Sequence, residues 1–83
     1  MKASDRQVMV NGESVTVWKV DNDVNGNPRF VVHYLAVADD YDAAVYKIHA
    51  IGGAKYRANW FGGGLVFSTY GDIGKDIEQA KNA

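Results

Sequence analysis

DDYDAAVYKIHAIGG, residues 39–53, carries the clearest periodicity in this chain. Tyr41, Ala44, Val45, Ile48 and Ile51 recur at i, i+3, i+4, i+7 and i+10, which is one face of an amphipathic helix. Asp39 or Asp40 can cap the free amides of the first turn, and both suit the positive end of the helix dipole. Gly52-Gly53 ends the helix in a left-handed conformation. The segments on either side read as strands, so the helix is set within a sheet and the class is α+β.

Upstream, Arg29 to Val37 is the strongest strand. Phe30, Val31, Val32, Tyr34, Leu35 and Val37 leave few polar positions, as expected of a central strand. Before it, Val8-Met9-Val10 and Val15 to Val20, with Trp18, flank Asn11-Gly12, a hairpin turn signal. Asp21 to Pro28 is a polar loop, with Pro28 at the edge of the strand that follows. Downstream, Lys55 to Phe61 alternates, with Tyr56, Ala58 and Trp60 on one side and Lys55, Arg57, Asn59 and Phe61 on the other. Gly62-Gly63-Gly64 then precedes Leu65 to Tyr70, and a hairpin turn is preferred there over a bulge. Asp72 caps a last helix in which Ile73, Ile77 and Ala80 share a face. Gly74 weakens that helix by about 1 kcal/mol relative to alanine, so it must rely on docking.

The predicted order is β-β-β-α-β-β-α. An antiparallel sheet of four to five strands carries the first helix across one face, with the second beside it or over a sheet edge. The expected core is Val17, Val32, Tyr34, Val45, Ile48, Ile51, Trp60, Leu65, Phe67 and Ile77. One sheet face is expected to lack helix cover, leaving Trp18, Val31 and Leu35 half exposed; such a patch marks an interface.

Length and composition narrow the function. The 83 residues are read as a single α+β domain, frayed at 1–5 and 81–83, and 47% hydrophobic content suffices for a core without staples. The chain has no cysteine, which excludes disulfides and thiolate zinc sites and fits a reducing compartment. A net charge of −1 and a pI near 6.0 are not the footprint of a general nucleic-acid binder. No apolar run approaches the roughly 18 residues of a membrane span. The start, Met-Lys-Ala-Ser-Asp-Arg-Gln, turns polar at once, which argues against a signal peptide and for the cytoplasm.

Asp21-Asn22-Asp23-Val24-Asn25-Gly26 matches the first half of a calcium loop, with Asp21, Asp23 and Asn25 as candidate ligands. The second half fails, because Val32 stands where a closing glutamate belongs and strands flank the loop. Turn formation accounts for the same residues. The glycine triplet lacks the Lys-Ser/Thr pair and following helix of a phosphate loop, so backbone freedom explains it. Lys55 to Phe61 interleaves base and aromatic as single-strand binders do, yet Phe61 to Ser68 lacks the basic residue and stacking aromatics of an RNA-recognition motif. His33 reads as a packing residue within its strand and His49 as a cation near a helix C-terminus, with no ligand spacing to link them. Ser4, Ser14 and Ser68 sit in no nucleophile motif, and Asp39, Asp40 and Asp42 read as an acidic first helical turn.

The leading expectation is therefore a non-enzymatic binding module acting through a protein partner or a homodimer, with no cofactor and no membrane. Its contact residues are Lys55, Tyr56, Arg57, Asn59, Trp60, Phe61 and Gly63, with Trp18 and Arg29 as additions. Single-stranded nucleic-acid binding on the same strand and calcium binding at Asp21–Gly26 are the alternatives. Compact domains of this size are common among phage and mobile-element accessory proteins, and analogy alone places the chain there.

Overall fold

Asn11 and Gly12 hold φ angles of 51° and 83°, the two left-handed residues that a type I′ hairpin turn requires. They join β1 (Asp5–Val10) to β2 (Glu13–Asn22), which pair antiparallel from Val10↔Glu13 to Asp5↔Trp18. The computed structural model describes residues 5–52, 56–58, 63–69 and 71–83. Beyond the first hairpin come β3 (Pro28–His33), α1 (Tyr41–Ile51), β4 (Tyr56–Ala58), β5 (Gly64–Ser68) and α2 (Ile73–Lys81). The five strands form one sheet in the order β1-β2-β3-β5-β4, and every neighbouring pair is antiparallel. The α+β class and the order β-β-β-α-β-β-α both hold. Because β4 and β5 are antiparallel neighbours, the chain reverses between them, as in the hairpin reading of the glycine triplet; Gly62 itself lies outside the described residues.

Strand residues alternate between faces, and both helices pack on one of them. Val8, Val10, Val17, Phe30, Val32, Leu65 and Phe67 from the sheet meet Ala44 and Ile48 of α1 and Ile73, Ile77 and Ala80 of α2 in a single cluster. Burying a side chain of this kind contributes about 1.5–3 kcal/mol, so this one layer carries the stability of the domain. Of the expected core, Val17, Val32, Ile48, Leu65, Phe67 and Ile77 are buried, while Tyr34, Val45 and Ile51 are half-buried against the cluster. Trp60 lies outside the described residues.

Both helix caps are aspartates. Asp40 accepts from the Ala43 amide at 2.8 Å, and Asp72 accepts from Gly74 at 3.0 Å and Lys75 at 3.4 Å. Gly52 closes α1 with φ 64° and ψ −177°, a conformation open to glycine.

The strand expected over Arg29 to Val37 is shorter than the apolar run suggests. β3 stops at His33, and Tyr34–Ala36 forms a 3-10 turn. The His33 Nδ1 accepts from the Leu35 amide at 3.3 Å, and the Tyr34 carbonyl accepts from the Val37 and Ala38 amides at 2.9 and 3.1 Å. His33 is thus an exposed cap rather than a packing residue. The turn carries Val37 into the core at 2% exposure and leaves Leu35 59% exposed.

Gly74 has a role that helix propensity alone does not reveal. A Cβ there would stand 2.6 Å from the Met9 carbonyl oxygen, so α2 lies directly against the outer edge of β1. The seam is extended by the Asn11 amide, which donates to Glu78 Oε1 at 2.8 Å. Lys47 Nζ ties α1 to the end of α2 through the Lys81 carbonyl at 2.6 Å. An exposed strand edge invites pairing with other chains, and a covering helix removes that liability.

Gly74→Ala therefore sets two effects against each other. Helix propensity favours alanine by about 1 kcal/mol, whereas forcing a methyl group onto a fixed backbone carbonyl costs about 1–3 kcal/mol. We expect the melting temperature to fall by several degrees in a thermal scan. A rise would show that the seam between β1 and α2 opens freely.

Candidate functional site: the helix-free face of the sheet

The second face of the sheet is built on one cross-strand row. Asp5 pairs with Trp18, Trp18 with Val31, Val31 with Val66, and Val66 with Arg57, so the row crosses all five strands. Val66 is 4% exposed, yet it is outside the cluster that the helices share. Trp18 and Val31 are half-buried, and Met9, on the same face, is 60% exposed. This is an apolar centre with neither described helix above it.

A polar rim surrounds it. Gln7 Nε2 donates to Thr16 Oγ1 at 2.6 Å, and the Ser14 hydroxyl donates to Gln7 Oε1 at 2.7 Å. These bonds hold three side chains flat across β1 and β2. At the other end, Arg29 grips Asp21 through two guanidinium nitrogens at 2.5 Å, which places a bidentate ion pair beside β5. The Asp21 carboxyl is held below its usual range chiefly by that hydrogen bond, and Arg29 is held protonated by the same contact.

The loop after β2 is locked by Asp23. Its Oδ1 accepts from the Asn25 and Asn27 amides, both at 2.9 Å, and its Oδ2 accepts from the Ser68 hydroxyl. Ser68 and then the two backbone amides hold the Asp23 carboxyl below its ordinary value. The carboxylates of Asp21 and Asp23 are thus engaged by the chain's own donors, as in an Asx turn. Among the described residues no group of three or more His, Cys, Asp or Glu is placed to hold a metal ion. His33 and His49 both lie exposed.

The expected contact residues are divided by the structure. Tyr56 and Arg57 belong to β4, an edge strand, in register with Phe67 and Val66. Arg57 therefore joins the row of Trp18 and Val31, and Arg29 flanks it. Gly63 admits a ring, but the ring is the chain's own. Its φ is +77° and a Cβ would lie 2.7 Å from Tyr34 Cδ1, while its carbonyl accepts from the Tyr34 amide at 3.0 Å. Lys55, Asn59, Trp60 and Phe61 lie outside the described residues, as do Ser4 and Gly53. Leu35, expected on the open face, stands instead on the 3-10 turn.

Met9 and Val66 belong to the face and were not singled out from sequence. Strand alternation supplies the signal for both, because each stands between residues that point into the core. An apolar centre ringed by amide, hydroxyl and paired ionic groups is the make-up of a contact surface. No described helix is long and apolar enough to cross a membrane.

A family model described as Staphylococcus phage terminal repeat-encoded protein TreK matches residues 8–80. No curated protein and no solved structure matches the chain.

The two locked carboxylates set an acid dependence. Each has a folded pKa below the unfolded value of about 3.9, so their stabilisation is complete above that value and is lost as pH falls through the lower folded ones. Asp23→Ala should lower the melting temperature at pH 6, and the gap to the parent chain should narrow progressively as the pH is taken below about 4. A gap that stays constant over that range would contradict the assignment.

Proposed function

This chain belongs to the family of the Staphylococcus phage terminal repeat-encoded protein TreK, and we propose that it is a phage accessory protein that works by binding another protein rather than by catalysis. The observation that supports this reading is the Trp18–Val31–Val66 row on the helix-free face. Soluble domains rarely leave a contiguous apolar patch without a use. Tryptophan, tyrosine and arginine are the residues that most often dominate binding energy at such surfaces. Trp18, Arg29 and the register position of Arg57 fall on this one face.

The nucleic-acid reading ranks below it for an electrostatic reason. Single-strand binding needs cations free to meet phosphates, whereas Arg29 spends its guanidinium on Asp21 and the net charge is −1. A second copy of the chain is the remaining partner that this surface suits, and the same experiment separates it.

A photo-cross-linking side chain is introduced at Met9 on the open face, and at Tyr46, 76% exposed on α1, as the control. In infected Staphylococcus cells, position 9 should give a discrete cross-linked protein and position 46 should not. Trp18→Ala should reduce the position 9 product at least tenfold, the scale of a hot-spot residue, while the fold is retained. Equal labelling from both positions would overturn the reading. A product of two copies of the chain would assign homodimerisation. Quenching of tryptophan fluorescence by single-stranded oligonucleotide at low salt, with no protein product, would favour nucleic acid.

A further inference from the structure

The tripeptide Val-Asn-Gly occurs twice in this chain, at residues 10–12 and 24–26. An asparagine followed by glycine is the step most open to deamidation, because glycine has no Cβ to screen its amide nitrogen from the asparagine side chain. Valine precedes the pair in both copies, so their intrinsic reactivity is matched and the fold alone separates them. Both asparagines are exposed.

The second copy is shielded. The Gly26 amide, whose nitrogen would attack, donates to the Asp23 carbonyl at 3.0 Å, and the Asn25 amide donates to Asp23 Oδ1 at 2.9 Å. Asp23 is itself fixed to Ser68 of β5, so releasing Gly26 means opening the whole locked loop. The first copy has no such protection. Among the described residues no acceptor meets the Gly12 amide, and a Cβ at Gly12 would stand in open space. The bonds that close a two-residue turn belong to the residues on either side of it, here Val10 and Glu13, which leaves the Gly12 nitrogen to solvent. The Asn11 amide, meanwhile, donates to Glu78 Oε1 at 2.8 Å, the bond that fastens this turn to α2.

We propose that Asn11 is a modification site, converted spontaneously to aspartate and isoaspartate, and that its conversion loosens the seam between β1 and α2. The chemistry needs only solvent water. The Gly12 nitrogen bonds to Asn11 Cγ as the Cγ–Nδ2 bond breaks, and the Gly12 amide proton leaves on Nδ2 as part of ammonia. Water then opens the resulting cyclic imide at Cγ to give aspartate, or at the main-chain carbonyl to give isoaspartate. Either product sets a new carboxylate in the turn that Glu78 contacts, where like charges repel. Isoaspartate also adds a carbon to the main chain of a turn whose length fixes the register of β1 against β2. The inference goes beyond the protein-binding reading and does not rest on it.

The test incubates the whole chain at mildly alkaline pH and follows residues 11 and 25 separately by mass spectrometry of the digested protein. In the folded chain Asn11 should be lost at least tenfold faster than Asn25, whereas in urea the two rates should converge. The aged chain should melt several degrees below the fresh one. That fall should be absent from Asn11→Gly, because a Gly-Gly turn keeps the hairpin geometry and lacks the reactive amide. Loss of Asn11 in the folded chain that is absent, slower than that of Asn25, or in the same ratio to it as in urea would overturn the site. An aged chain that melts as before although Asn11 is converted, or an equal fall in Asn11→Gly, would overturn its effect on the seam.

Discussion

Successive residues of a strand face opposite ways, so a sheet with both helices packed on one side presents a second, separate set of side chains to the other. In this chain the covered side takes Val8, Val10, Val17, Phe30, Val32, Leu65 and Phe67. The open side takes Met9, Trp18, Val31 and Val66. Neither described helix lies over that second face. The row there runs from a buried Val66 through half-buried Val31 and Trp18 to an exposed Met9, and an apolar surface that reaches solvent in this way is the kind that marks a contact.

The edges of the sheet are treated differently from its faces. At β1 the outer edge is closed by α2, and the closure depends on a residue that works against its own helix. Gly74 has poor helix propensity, yet its missing side chain is what lets the helix reach the Met9 carbonyl. Local preference is given up so that a docking distance can be reached. Between β2 and β3 the ladder ends at Trp18↔Val31, and past His33 the chain enters the 3-10 turn, which that residue caps.

Much of the architecture was legible in the residues. Asp40 and Asp72 as caps, Asn11-Gly12 as a hairpin turn and the spacing of Ala44 and Ile48 are local signals, settled within a few residues of chain. The end of β3 was not legible, since Tyr34, Leu35 and Val37 continue an apolar run whether the backbone is extended or turned. The turn is held by the His33 imidazole and the Tyr34 carbonyl, and a histidine in that setting also fits a packed core. Gly74 was read as a weakness because its contact comes from more than sixty residues away in sequence. The candidate surface was legible in part. Trp18 and Arg29 stood out by residue type, whereas Met9 and Val66 required the register. The Asp23–Ser68 bond was hidden for the same reason, joining a turn to a strand 45 residues further on.

The account depends on Trp18 and Met9 looking outward from a face that neither helix covers. Hydroxyl-radical footprinting of the isolated monomer, resolved by residue, measures this directly. Met9 and Trp18 should be oxidised rapidly, while Phe30 and Phe67 in the helix-covered layer stay protected. Protection of Trp18 equal to that of Phe67 would contradict the account.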